Sequence, residues 1–476
     1  MSKLSYDFTL TAEQIESKSS QLILEYQLKV ELLENIKVPT FDNFVNQKAL
    51  LDAEYSYQMQ ILDFYQYVSE DADVREASRE VTKLWDQLQV DISQSERLYQ
   101  NYQTVAKSAT QLNDPVDLKL LNDILLGFKR SGMDLPIKQR QQLKEFFNRE
   151  SELSIEFQKN TSEDKSYVLL STSQLKGMDQ DYLKRTQIED PPNFHKVTGQ
   201  YPDVIPLLQY CQNPKSRAIV MEMFENRAPG NFPVLIEILN VRQQIAELLG
   251  YNNIAEYRME VQMTENLETT RHFLKNILTQ LSPHCQNYLK QLSSDKQQEE
   301  KTDQSVQYQD YAYYHQKNLQ KNYQIDHQVL KEYFPLDYVT QAMLELFAEI
   351  FNLQFESAQP ESTWSQQHTS FYHVFDASSQ KMIGQFFMDM HPREGKYTHA
   401  AMWDLIPGFR DRQGHQIIPL ATLVCNFTPP TENKPSLLTF SEVNTLFHEF
   451  GHLIHDMLSK TELMSQSGTS VSIDFV

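Results

Sequence analysis

The chain has 476 residues, and its 64 acidic against 43 basic side chains give a formal charge of −21. That balance excludes a nucleic-acid binder, which needs a basic footprint. No run of about 18 apolar residues occurs, so no membrane partner is expected. Cys211, Cys285 and Cys425 are odd in number, widely spaced and without a C-x-x-C pair, which excludes a disulfide framework and a cysteine zinc site. The leading segment Met1–Phe8 lacks the apolar core of a secretory signal, so a reducing compartment is the default. Only 12 glycines, and runs rich in Gln, Glu, Leu and Lys, favour a mainly α protein long enough for two lobes.

Taken in chain order, a first helix opens at Thr11, with Gln14 completing a capping box. A second starts at Asp73 with Glu76 three residues on, and sets Val74, Ala77, Val81, Leu84, Leu88 and Ile92 on one face. Pro136 suits the first turn of a helix carrying Leu143, Phe146, Phe147, Leu153 and Phe157. Asn231 and Pro233 begin another, which Gly250 ends. These apolar stripes are core. Ser293–Gln304, almost devoid of apolar residues, predicts a surface loop or a frayed helix end.

After about residue 365 the pattern changes. Phe371–Phe375 and Met382–Met390 read as strands around the turn-prone Asp376-Ala377-Ser378-Ser379, and Leu420–Phe427 as a third. Such a sheet can pair with an extended peptide or merely brace a neighbouring site. His391, Arg393, Glu394, Lys396, Tyr397 and His399 form a polar segment suited to a turn or to substrate contact; their spacing does not make them metal ligands.

Next comes a helix with Ser441 as its expected N-cap and a stripe of Val443, Leu446, Phe447, Phe450, Ile454 and Met457. Within it, His448-Glu449-Phe450-Gly451-His452 is an H-E-x-x-H string. Both imidazoles project from one face, one turn apart and opposite the stripe. They are two neutral nitrogen donors for zinc, with Glu449 placed to act as the base for a zinc-bound water. Gly451 points to a close backbone neighbour or to helix packing. A catalytic zinc needs a third protein ligand. His455 is rejected, since three ligands on one straight helix do not wrap a tetrahedral ion, and the positions after His452 exclude the metzincin pattern. Glu462 and Asp474 are the in-chain candidates.

HPREGKYTHAAMWDLIPGFR (His391–Arg410), CNFTPP (Cys425–Pro430), LFHEFGHLIHDMLS (Leu446–Ser459) and SGTSVSIDFV (Ser467–Val476) resemble the signature region of the thimet oligopeptidase, neurolysin and oligopeptidase A family. LLGYNNIAEYRM (Leu248–Met259) and LKEYFP (Leu330–Pro335) agree, and the likeness runs from about residue 5 to the last residue. It implies a mainly α, two-lobed zincin-type peptidase with a deep channel for short peptides and a small sheet near the active-site helix. By the same likeness His448 and His452 hold one Zn(2+) ion, Glu449 is the catalytic base, and the enzyme is a cytoplasmic metalloendopeptidase and a monomer. Residues 1–215 are expected to form a helical region and 216–476 the catalytic region, incomplete at its C-terminus. The family's third ligand is a Glu directly after D-F-V, whereas Asp474-Phe475-Val476 closes this sequence. The alternative reading is therefore a peptide-binding remnant lacking that ligand.

Overall fold

The computed structural model describes residues 6–108, 114–325, 327–431 and 434–476. Residues 1–5, most of the leading segment considered above, lie outside that range. The fold is mainly α, as expected, with a small mixed sheet near the histidine helix.

Local chemistry explains where the helices begin. Thr11 Oγ1 accepts from Gln14 N at 3.3 Å while Gln14 Oε1 accepts from Thr11 N at 2.9 Å, so the expected capping box opens Ala12–Glu34. The expected start at Asp73 is corrected to Ala72. Asp71 is the cap, because its carboxylate reaches the N–H groups of both Asp73 and Val74. Pro136 is the N-cap residue just before Ile137–Ser162 rather than part of its first turn, and Leu143 and Leu153 of that helix are buried against Val234, Ile238 and Ile245 of Asn231–Leu248. Gly250, at φ +85°, follows that helix in the left-handed conformation that glycine tolerates.

Ser293–Gln304 is corrected more substantially. Helix Leu267–Glu300 runs through most of it and stops only where Lys301 turns left-handed. Gln, Glu and Lys are good helix formers, and the polar run has buried partners. Lys296 Nζ donates to Asp310 Oδ2 at 2.5 Å, and Arg217 donates to the other oxygen at 2.7 Å.

The five-stranded sheet runs in the order Leu353–Ser357, Thr369–Asp376, Met382–Asp389, Leu420–Val424, Ala401–Ile406. Its pairings are antiparallel except the parallel one between Met382–Asp389 and Leu420–Val424. The three expected strands are present, and the turn between the first two closes as predicted. Asp376 accepts from both the N–H and the hydroxyl of Ser379 at 2.7 Å.

Alternate residues of these strands face opposite ways. Phe371, Phe387, Leu420 and Val424 pack against the first helices of the chain, in one core with Phe8, Phe64 and Val68. Phe386, Met388, Ala421 and Leu423 share the other core with Leu446, Phe450, Leu453 and Ile454 of the histidine helix. Burial on both faces is why Leu420–Val424 is apolar apart from Thr422. The sheet is thus a wall, with the histidine helix on one side of it. Two-stranded pairs at Tyr167–Ser171 with Phe194–Thr198, and Phe409–Arg410 with Gln416–Ile417, had no readable signal.

Candidate active site

The histidine helix spans Phe440–Met457. Its N-cap is Thr439 rather than the expected Ser441. Thr439 Oγ1 accepts from Glu442 N at 3.2 Å and Glu442 Oε2 accepts from Thr439 N at 2.7 Å, a reciprocal box that Ser441 has no acid to complete. Glu442 also takes a bond from Thr428 N, tying the helix start to the chain leaving the sheet.

Leu446, Phe450, Leu453, Ile454 and Met457 are buried. His448 is exposed and Glu449 and His452 are half-buried, so the expected division into an apolar and a chemical face holds. The two rings stand nearly perpendicular, at 85°, with Nε2 atoms 3.1 Å apart. Two nitrogens at about 2.0–2.1 Å from one tetrahedral zinc lie about 3.3 Å from each other, so this pair matches the spacing two ligands of one ion require. Burial, and secondarily the neighbouring His448, lower the pKa of His452 and favour the neutral ring that a ligand needs. Asn444, Thr445, Phe447, His448 and Glu449 line an open cleft of about 590 Å³.

A third donor does not join them. His455 points to solvent. Glu462 pairs with Arg410 at 3.2 Å. Asp474 accepts from Met263 N at 3.0 Å and Thr264 N at 3.2 Å. Among the described residues there is no group of three His, Cys, Asp or Glu placed to hold a metal. Glu462 and Asp474 are therefore corrected from candidate ligands to partners of other elements. Gly451 supports neither helix packing nor a close backbone neighbour, since a Cβ there would meet nothing within 4 Å. It leaves bare space on the helix.

The polar segment after the sheet is built around a buried ion cluster. Asp389 Oδ1 accepts from Lys396 Nζ and Arg393 Nη1, both at 2.7 Å, and Oδ2 from Trp364 Nε1 at 2.8 Å. Lys396 Nζ also donates to the carbonyls of His391 at 2.8 Å and Cys425 at 2.6 Å, which clamps this loop to the strand leading towards the histidine helix. Burial pushes the Lys396 ammonium down to about 8.

The clamp sets the next residue, Tyr397, near the site. Its phenol pKa is raised by burial and then by the charge of Glu449. Its backbone N–H donates to Tyr67 O at 2.8 Å, and the Asn426 amide holds the carbonyls of Tyr397 and His399. Asp389, Trp364 and Asn426 carry no motif that announces these roles.

A family model described as Peptidase family M3 matches residues 207–476. The chain is 33% identical to a thimet-like oligopeptidase of Dictyostelium discoideum, over 99% of this chain and 72% of that protein. It is 29% identical to saccharolysin of Saccharomyces cerevisiae, over 99% of this chain and 69% of that one. With oligopeptidase A of Haemophilus influenzae the identity is 27%, over 96% and 69% respectively.

Proposed function

The chain belongs to peptidase family M3, and on that premise we propose that it is a zinc-dependent metalloendopeptidase acting on short peptides, with Glu449 as its general base. The observation that carries the reading is the His448–His452 pair, its Nε2 atoms 3.1 Å apart, beside Glu449 on the wall of an open cleft. His448 and His452 would hold the metal. A zinc ion bound there supplies Lewis acidity that polarises a scissile carbonyl and lowers the pKa of water.

The chain's own groups do the rest. Glu449 takes a proton from the attacking water on a carboxylate oxygen as the new C–O bond forms. It then returns that proton to the amine nitrogen as the C–N bond breaks. The sheet and the capping box hold the histidine helix still, so the acceptor oxygen stays where the water must be. We assign this chemistry to residues 216–476 and expect a cytoplasmic monomer; among the described residues no helix is long and apolar enough to cross a membrane.

Glu449→Gln keeps the shape of the side chain and removes the proton acceptor. Hydrolysis of a quenched fluorescent peptide should fall by about 10²–10⁴-fold with zinc content unchanged. A variant that cleaves at the wild-type rate sinks the assignment.

A further inference from the structure

The long helix Leu267–Glu300 is held by the rest of the protein only towards its two ends. At its start Asn266 caps it, and Thr270 Oγ1 reaches Met259 Sδ at 3.4 Å. Towards its end Leu292 is buried with Tyr313 and Tyr314 of Tyr308–Tyr323, and Tyr288 Oη meets His315 Nδ1 at 2.5 Å. Between these anchors, from Arg271 to Asn287, every residue except Ser282 is exposed.

The bare stretch does not have the composition of a solvated helix. Leu274, Leu278, Leu281, Cys285, Tyr288 and Leu292 recur at alternating intervals of four and three, the period of a coiled-coil seam. Phe273 and Ile277 widen the seam, and Leu274 and Leu278 stand 58% and 67% exposed. Such a seam gains burial only when a second apolar surface meets it.

Charge beside the seam selects that surface. From Thr269 to Ser294 the chain carries Arg271, Lys275 and Lys290 and no acid, against a net charge of −21 overall. At about 100° per residue, Arg271 and Lys275 border the seam along one edge, one turn apart, while Asn276, Gln280 and Asn287 line the other. Among the described residues neither Arg271 nor Lys275 is in an ion pair. A second copy of this helix fits poorly, because it would bring one unpaired cationic edge to another with no acid on either. Anionic lipid fits poorly too. Three cations fall short of the roughly four to eight that hold a segment to such a surface, and the acidic remainder of the chain is repelled from it.

We propose that the face around Leu274, Leu278 and Leu281 docks an amphipathic helix of another polypeptide, whose own apolar seam is bordered by carboxylates that pair with Arg271 and Lys275. The inference goes beyond the peptidase reading and stands apart from it, since this face carries none of the residues assigned to the chemistry.

The probe is a fluorescent peptide of about three heptads with leucine at both seam positions and glutamate at the flanking ones. A second peptide has lysine in place of each glutamate. Binding is read by anisotropy on Glu449→Gln protein, so that neither peptide is consumed. The glutamate peptide should bind saturably and about tenfold more tightly than the lysine peptide. Leu274→Ser combined with Leu278→Ser should weaken it by more than about tenfold. Arg271→Glu combined with Lys275→Glu should reverse the preference between the peptides, which a misfolded protein would not do.

Equal affinity for the two peptides on protein with the helix intact overturns the proposal, and so does binding that survives both leucine changes. Absence of saturable binding by the glutamate peptide overturns it as well. Retention on phosphatidylcholine–phosphatidylserine vesicles would then assign the face to lipid. A dimer seen in sedimentation and abolished by the leucine changes would assign it to a second copy instead. Loss of peptide hydrolysis in the wild-type protein would count against the peptidase reading alone.

Discussion

Two helices of this chain carry the same kind of pattern and meet different fates. The histidine helix, Phe440–Met457, buries Leu446, Phe450, Leu453, Ile454 and Met457 against the sheet and turns His448, Glu449 and His452 outward. The longer helix Leu267–Glu300 buries only Leu292 and Lys296, leaving Phe273, Leu274 and Leu278 more than half exposed. Periodicity says which face is apolar. What lies opposite that face decides whether its burial holds the fold together, and here the sheet makes the difference. The site is built on the covered helix.

The contrast can be broken most severely at Phe450, which is fully buried with Phe347, Phe355 and Phe386 around its ring. Phe450→Ala should cost about 3–5 kcal/mol in urea unfolding through the cavity it leaves. A loss below about 1 kcal/mol would mean the stripe is not what anchors the helix.

A second test sits one turn beyond His452. Asp456 is fully buried, neither of its oxygens has a hydrogen-bond partner, and burial with the nearby charge of Asp404 pushes its carboxyl up to about 8. Its folded pKa lies above its unfolded one, so the stability it contributes is complete in acid and is lost as the pH rises from about 4 towards 8. Asp456→Asn cannot ionise. Its stability relative to wild type should climb by at least about 1 kcal/mol between pH 5 and pH 8. A difference that does not vary with pH contradicts this account. The smallest effect belongs to the bare helix: Leu278→Ser should change stability by no more than about 0.5 kcal/mol, measured in the same urea titration.

Those outcomes bear on what the sequence made legible. The helix carrying His448 and His452 was readable because its stripe and its two histidines fall on opposite faces, and the strand Leu420–Val424 because a wall buried on both sides is nearly all apolar, Thr422 excepted. Two helix starts were legible only to within two residues: Asp71 rather than Asp73 reaches the first N–H groups, and Thr439 rather than Ser441 has the acid, Glu442, that completes its box. The helical run through Ser293–Glu300 was hidden because its partners, Asp310 and Arg217, are distant in sequence. The cluster around Asp389 was hidden because Trp364 and the carbonyl of Cys425, distant in sequence, join the nearby Arg393 and Lys396 only after the sheet has formed.

Metal content tests the central claim most directly. Zinc titration of purified protein, alongside His452→Ala, should show saturable zinc binding to the wild-type chain and a loss of most of it in the variant, because a single imidazole cannot replace the pair whose nitrogens stand 3.1 Å apart. Equal zinc in both proteins, with peptide hydrolysis intact in the variant, would contradict the assignment of this helix as the metal-holding element.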